Sequence, residues 1–298
     1  MATAATQPAP EPARAPAAKR PVGELAAALL TGLETDDLIF LAADEVRAGE
    51  IVRALEGGAG DALVLFCPAS DALPGDSAPP SPANVGQRAS ALRRARAALT
   101  GEGRRPRVAL VSTGEAAARL YPPPARFDAA PPLLKVGQPI ELDAFAAGLE
   151  ELGYIPDDRV DEPGELAVRG RVIDVFPADS GQPYRIEEAE GAVAAIRPYD
   201  AATQLTSGEC AELELGRVSE PPIGDDGVTL LDHLPDALLA ADAGAEDRRR
   251  RFLALAADAA KRRPKRAFKD ICPDARWTQV LGAHPPAELA LGFGEPPP

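Results

Sequence analysis

The lysines of this 298-residue chain are too few and too poorly placed for a phosphate-binding loop. Such a P-loop needs glycine-rich backbone amides, then Lys and Ser or Thr for the phosphates and Mg²⁺. None of the five lysines is followed by Ser or Thr, and the segment 29–37 (LLTGLETDD), near where such a loop would sit, has no lysine. We therefore expect no nucleotide cofactor.

Metal ligands and catalytic nucleophiles are equally sparse. His233 and His284 lie far apart, and the chain has no Cys–x–x–Cys or His–x–x–x–His pair, so we expect no metal site. A Ser–His–Asp triad stays open on sequence alone, but the nucleophile-elbow pattern Gly–x–Ser–x–Gly does not occur. The sequence predicts a protein without catalytic residues or cofactors, and therefore not an enzyme.

Arginines on predicted strands are the more informative side chains. The run 159–204 reads as a meander of short antiparallel strands. In LAVRG, side-chain alternation puts Arg169 opposite the apolar residues, and a change of apolar parity after Gly170 predicts a bulge or twist there. Arg169 and Arg171 would then lie on an open surface at a bend.

The next strand of this meander, YRIE, has the same two-sided character. Its alternation puts Arg185 and Glu187 on one face, and Ala189 shares that face. The dipeptide 190–191 (EG) predicts a hairpin turn.

The elements around the meander predict a parallel α/β layer, because short apolar strands alternate with helices. We expect helices at 22–33, 44–57, 87–99, 113–120 and 246–263, and strands at 38–43, 62–66, 108–112 and 236–243. Thr113 is a candidate N-cap, and 142–154 is an amphipathic helix before the meander. The tail, ending in PPP, reads as loop.

The overall composition favours an ordinary cytoplasmic protein. Three scattered cysteines suit a reducing compartment, and no apolar run reaches the length of a membrane span. The Ala/Pro-rich residues 1–21 predict a disordered leader. The net charge of −14 argues against general nucleic-acid binding.

Three sequence blocks within the meander, LAVRGRVIDVFP, PYRIE and IRPYD, carry a family resemblance. They resemble the insert domain shared by the excinuclease subunit UvrB and the transcription-repair coupling factor of bacterial nucleotide excision repair. In those proteins the insert docks the damage-recognition subunit UvrA. Segments 71–92, 111–123, 137–154 and 229–255 also resemble the coupling factor, so that the similarity covers roughly residues 22–260.

The resemblance implies a P-loop-NTPase-like (RecA-like) α/β half domain with a degenerate nucleotide site, interrupted by a small antiparallel α+β insert. The implied domains are 22–128, the insert 129–215, and a returning part 216–298. The RNA-polymerase-binding and translocase motor domains of the family have no counterpart in this sequence. An ATP-dependent helicase or translocase activity would be assigned by family alone.

The resemblance also implies partner-binding residues. The two family arginines that contact UvrA match Arg169 and Arg185, and we extend the predicted site to Gly170, Arg171, Glu187 and Ala189. The family usually has two aromatics after the second strand, where this chain has Glu188 and Ala189. Loss of an aromatic anchor can cost on the order of 2 kcal/mol of binding, so docking is weakened, lost or otherwise compensated.

A basic segment gives an alternative binding site. Residues 246–269 contain ten Lys or Arg against three Asp or Glu. Either this is a solvated helix with Phe252, Leu253 and Leu255 turned inward, or it binds DNA weakly through Arg262, Arg263, Lys265 and Arg266. A diverged paralogue that binds another protein is the remaining alternative.

Overall fold

The computed structural model of the chain describes residues 20–74, 76, 78–101, 103–262 and 268–284. Nearly all of the predicted leader (1–21) lies outside these residues, as does the end of the predicted loop tail. Within the described part of the chain, no helix is both long and apolar enough to cross a membrane.

The first part of the chain alternates helices with short strands. Its elements are α1 (Val22–Leu33), β1 (Leu38–Ala42), α2 (Glu45–Glu56), β2 (Leu63–Phe66), α3 (Pro82–Thr100), β3 (Val108–Thr113), α4 (Gly114–Ala117) and β4 (Leu120–Tyr121), then a 3₁₀ turn at Pro124–Phe127. Every residue of β1 and β3 is buried. Continuous burial of this kind is typical of strands covered on both faces.

An inserted unit follows. Its elements are β5 (Leu133–Lys135), α5 (Leu142–Glu151), β6 (Ile155–Pro156), β7 (Glu165–Arg169), β8 (Val172–Val175), β9 (Tyr184–Ala189), β10 (Ala192–Pro198) and β11 (Glu212–Glu214). Strands β10-β9-β8-β7-β6 form one sheet in that order, antiparallel except for the β6–β7 pair. The predicted antiparallel meander is confirmed.

The α5 helix covers one face of this inserted sheet. Its Leu149 shares a buried cluster with Ile173 of β8 and Ile186 of β9. Because strand side chains alternate between faces, the neighbours of these residues point to the opposite face, where a small buried cluster (Val160, Ala167 and Phe176) covers part of the sheet and the rest is open. That open face holds the predicted site.

The chain then returns to the α/β layer with β12 (Val228–Thr229), a 3₁₀ turn at Leu230–His233, β13 (Leu238–Ala241), α6 (Ala245–Arg262) and α7 (Asp274–Ala283). Strand β13 pairs with β1 and completes a four-stranded sheet of order β13-β1-β3-β2, parallel throughout. The predicted parallel α/β layer is confirmed.

Helices cover both faces of the parallel sheet. Phe40 of β1 packs in one cluster with Leu29 of α1 and Ile51 of α2. Its neighbour Leu41 packs in the opposite cluster with Leu92 of α3 and Trp277 of α7. The sheet therefore lies between two helical layers.

Three helix predictions were wrong at their ends. The α5 helix ends at Glu151 and not at residue 154, because Gly153 has φ +103° and leaves the helical conformation. The α3 helix begins at Pro82, not at residue 87, because the Ser81 hydroxyl accepts a hydrogen bond from the Asn84 amide at 3.3 Å and proline suits the first helical position. The α4 helix ends at Ala117. Its N-cap Thr113 makes no side-chain capping bond.

Part of the predicted loop tail is helical. Residues Asp274–Ala283 form α7, which packs on the core through the buried Trp277 and the partly buried Val280. A helix this short, with one buried side chain, has little periodic signal in its sequence.

Candidate functional site

The β7–β8 connection places two arginines at the tip of a hairpin. Arg169 pairs with Val172, which leaves Gly170 and Arg171 as a two-residue turn. Gly170 has φ +62°, a conformation that glycine adopts readily. The predicted bulge at this glycine is wrong, because a tight turn and not an inserted residue causes the change in parity. The predicted exposure holds, with the Arg169 side chain 49% and the Arg171 side chain 73% exposed.

Arg185 is held by a buried carboxylate on the neighbouring strand. The register places it directly opposite Asp174 of β8. Its Nε and Nη2 atoms donate to the two carboxylate oxygens of Asp174, each at 2.8 Å, and its guanidinium lies 4.9 Å from the ring centre of Tyr199. The hydrogen bonds to Asp174 raise the pKa of Arg185. Arg185 is thus an oriented, permanently charged group.

Arg169 shares the same carboxylate. Its Nη1 atom lies 3.7 Å from Asp174, and its Nη2 atom donates to the carbonyl oxygen of Asp158. Two guanidinium charges and one carboxylate charge leave this group with one net positive charge. Asp174 was not predicted as part of the site, although its position between Ile173 and Val175 places it on the open face by alternation.

The remaining predicted residues of β9 continue along the same face. Glu187 pairs with Arg197 of β10, and Arg197 also donates from Nη2 to Glu209 at 3.0 Å. The hydrogen bond to Glu187, and after it the one to Glu209, raises the pKa of Arg197. Ala189 is exposed at the end of the strand. We call this surface, with Arg169, Arg185, Glu187, Ala189 and Arg197, the arginine face.

The predicted partner-binding residues therefore lie close together. The turn that carries Gly170 and Arg171 is joined to β9, since the Glu188 amide donates to the Arg171 carbonyl at 2.9 Å. Arg197 belongs to the same face and was missed. Its strand AVAAIRP shows no regular alternation because the register shifts between Val193 and Ala195.

Glu188, where the family usually has an aromatic, supports the next turn. Its Oε1 atom accepts a hydrogen bond from the Gly191 amide at 2.7 Å, and its Oε2 atom lies 3.8 Å from Arg171 Nε. The predicted turn at 190–191 is confirmed, with positive φ at both residues. This carboxylate thus stabilises the hairpin and adds negative charge beside the arginine face.

The basic segment lies elsewhere in the fold. Arg262 is exposed at the end of α6, and Arg263, Lys265 and Arg266 lie outside the described residues. The segment's described cations mostly pair with acids, namely Arg248–Glu115, Arg249–Glu246, Arg250–Glu246, Lys261–Asp258 and Lys269–Asp225. Phe252 is buried as predicted, but the predicted burial of Leu255 is wrong, because its side chain is 55% exposed.

The carboxyl edge of the parallel sheet is acidic. Asp44 caps α2, and its carboxylate accepts a hydrogen bond from the Arg47 amide at 2.8 Å. Burial, followed by the charge of Glu115, raises the pKa of the adjacent Glu45. Among the described residues, no group of three or more His, Cys, Asp or Glu side chains could hold a metal ion. The helix end that follows β1 already has a carboxylate bound to one of its free amides.

Residues 133–219, which include the whole arginine face, match the sequence profile of the UvrB interaction domain. The chain contains a UvrB interaction domain. It is similar to transcription-repair-coupling factors from Bacillus subtilis, 31% identical over 188 residues (63% of this chain and 15% of the relative), and from Myxococcus xanthus, 32% identical over 205 residues (67% and 17%). That from Haemophilus influenzae is 35% identical over 96 residues (32% and 8%).

The similarity to these relatives is that of an amino-terminal module of the coupling factor. The chain spans 15% and 17% of the length of the Bacillus and Myxococcus relatives. The UvrB interaction domain occupies the centre of this module, between the two parts of the chain that build the parallel sheet.

Proposed function

We propose that this chain is a non-catalytic protein-interaction module of nucleotide excision repair, which docks a UvrA-like subunit through the arginine face. The observation that carries the proposal is a UvrB interaction domain with Arg169 half exposed and Arg185 oriented beside it on the open face. Planar guanidinium groups suit bidentate contacts with carboxylates at protein interfaces.

The acidic carboxyl edge of the parallel sheet supports the non-catalytic part of the proposal. We propose that the α/β layer is a P-loop-NTPase-like half domain whose nucleotide site has degenerated. A phosphate would bind at the helix after β1, and not near segment 29–37, which ends α1 and precedes β1. There the Asp44 carboxylate occupies the amide of Arg47, and Glu45 adds a second carboxylate. Both groups would repel the phosphates of a nucleotide.

Direct binding to UvrA from the same organism tests the docking proposal. We expect Arg169→Ala and Arg185→Ala each to weaken binding by about tenfold, since each removes an interfacial guanidinium. Arg53→Ala is the matched control, because Arg53 is exposed on α2, in the other part of the fold. Equal affinity of all four proteins for UvrA would reject docking through the arginine face, and no binding by the wild type would reject UvrA as the partner.

A different protein partner is the second candidate, and Glu188 favours it. This residue puts a charge where the family usually has apolar surface, and the neighbouring Ala189 offers no aromatic ring. Ala189→Phe discriminates the two candidates. A gain in UvrA affinity indicates a weakened family site, whereas unchanged or lower affinity favours another partner.

Weak DNA binding through residues 246–269 is the least favoured candidate. The ion pairs along α6 already neutralise most of the segment's described cations. Binding that falls steeply between low salt and 200 mM salt would support it, since phosphate contacts release counterions.

A further inference from the structure

We infer that Asp174 is a positioning residue of the arginine face: its buried carboxylate fixes the guanidinium of Arg185 and leaves Arg169 and Arg185 with one net positive charge for a single carboxylate of a protein partner. The inference about the partner rests on the proposed function. The inference about orientation rests on the contacts alone.

Asp174 lies in an unusually buried place for a carboxylate. Asp174 is 2% exposed, and its neighbours Ile173 and Val175 are fully buried. A buried charge is costly unless it is paired and hydrogen-bonded. Arg185 supplies two hydrogen bonds at 2.8 Å, and Arg169 adds a second positive charge at 3.7 Å. Asp174 therefore contacts both arginines at one place, and its hydrogen bonds raise the pKa of Arg185.

Arg185 keeps a donor for a partner after this pairing. Its Nε and Nη2 atoms bind Asp174, and the ring of Tyr199 lies against the guanidinium. Its Nη1 atom has no hydrogen-bond acceptor among the residues that the structure describes, and the side chain is 24% exposed. A side chain that is already oriented loses less rotamer entropy when a partner binds.

Arg169 complements this arrangement from the hairpin tip. The carbonyl of Asp158 holds its Nη2 atom, and about half of the side chain faces solvent. One acid already compensates one of the two guanidinium charges. The remaining charge matches one carboxylate, so a Glu or Asp of the partner is the group that this part of the face recognises.

A competing role for Asp174 predicts the opposite change in affinity for the partner. If Asp174 merely competed with the partner's carboxylate for Arg185, its neutralisation would free the guanidinium and strengthen binding. If it positions Arg185, the same change releases the side chain and weakens binding. Asp174→Asn separates the two roles because asparagine keeps the shape and removes the charge.

The first measurement is the affinity of the full chain for UvrA from the same organism. We expect Asp174→Asn to weaken binding by about tenfold. Asp37→Asn is the matched control, since Asp37 is also buried and paired with an arginine, Arg105, but lies directly before β1 in the α/β layer. Unchanged or tighter binding by Asp174→Asn, with the control at wild-type affinity, would overturn the positioning role in docking.

The second measurement needs no partner. Proton exchange at Arg185 Nε, followed by nitrogen-15 NMR of the free chain, should be slow in the wild type and in Asp37→Asn, and fast in Asp174→Asn. Slow exchange that persists in Asp174→Asn overturns the orientation claim. A wild-type chain that does not bind UvrA rejects the proposed function and the partner's carboxylate with it, while the exchange rate still decides whether Asp174 fixes Arg185.

Discussion

Arg88 donates two hydrogen bonds to the carboxylate of Glu220, at 2.6 Å from Nε and 2.8 Å from Nη2. Arg88 lies on α3, and Glu220 comes directly after the UvrB interaction domain. Burial alone would lower the pKa of Arg88, but the bonds to Glu220 reverse this and raise it. The pair therefore joins the end of the interaction domain to the α/β layer through an almost fully buried guanidinium.

Glu220→Gln should destabilise the fold. Arg88 is 3% exposed, so the change leaves a buried charge without its counter-charge, and we expect a loss of about 2–4 kcal/mol in the free energy of unfolding. Urea denaturation measures it. Glu212→Gln is the control, because its pair with Lys135 is more than half exposed and should contribute less than about 1 kcal/mol. Equal losses of stability in the two variants would contradict a stabilising role for the buried Arg88–Glu220 pair.

Gly86→Ala should separate α3 from the interaction domain. A Cβ atom at Gly86 would lie 2.2 Å from the Cβ of Ala178, so one element must move, and we expect a loss of about 1–3 kcal/mol in the free energy of unfolding.

Gly148→Ala should instead increase the stability of the fold. Gly148 lies in the exposed interior of α5 with no atom within 4 Å of an added Cβ, and alanine should stabilise the helix by about 0.5–1 kcal/mol. Thermal unfolding of both variants checks the difference in sign.

His233 should make the fold sensitive to mild acid. Burial lowers its pKa to about 4, so the folded chain keeps it neutral where the unfolded chain binds a proton near pH 6.5. The unfolded state binds more protons between these values, and stability falls as the pH falls from 6.5 toward 4, by at most about 3 kcal/mol.

His233→Phe is the variant that isolates this contribution. The His233 ring lies edge-on to the rings of Tyr121 and Phe127, so an aromatic replacement suits the site. Urea denaturation at pH 6.5 and pH 4.5 should show a smaller loss of stability for the variant than for the wild type. Equal losses would show that other groups account for the acid sensitivity.

Thiol reactivity should distinguish the three cysteines. Cys67 and Cys272 are fully buried, whereas Cys210 is partly exposed. Burial raises the pKa of Cys67 to about 12, which keeps it a thiol. We expect one reactive thiol in the native chain and three in denaturant, counted with a disulfide reagent. The folded Cys210→Ser variant should show no reactive thiol, and labelling of Cys67 in the folded chain would contradict its burial.

The strands of this protein were easier to predict than its helix ends. Apolar runs such as residues 38–42 and 108–112 predict buried strands because covered strands have apolar side chains on both faces. The start of α3 was missed because the Pro- and Ser-rich residues before it resemble a loop. The α7 helix was missed because Trp277 is its one buried residue, which leaves little apolar periodicity.

The candidate site was predictable in part. Alternation placed Arg169 opposite the apolar residues of its strand and put Arg185 with Glu187 on one face of another strand, and the structure brings the three together. The roles of Asp174 and Arg197 were missed, since which side chains meet across a sheet depends on register, and a bulge shifts the register of β10.

The sequence by itself determined the alternation of strands and helices in the α/β layer, the absence of a lysine-bearing phosphate loop, and the strand faces on which Arg169 and Arg185 lie. These depend on local chain geometry, which acts over a few residues. Only the tertiary structure decided that Arg185 meets Asp174, 11 positions away, and that Arg88 meets Glu220, 132 positions away. Ion pairs of this kind form when packing brings separate elements together, and the spacing of residues in the sequence does not show which side chains will meet.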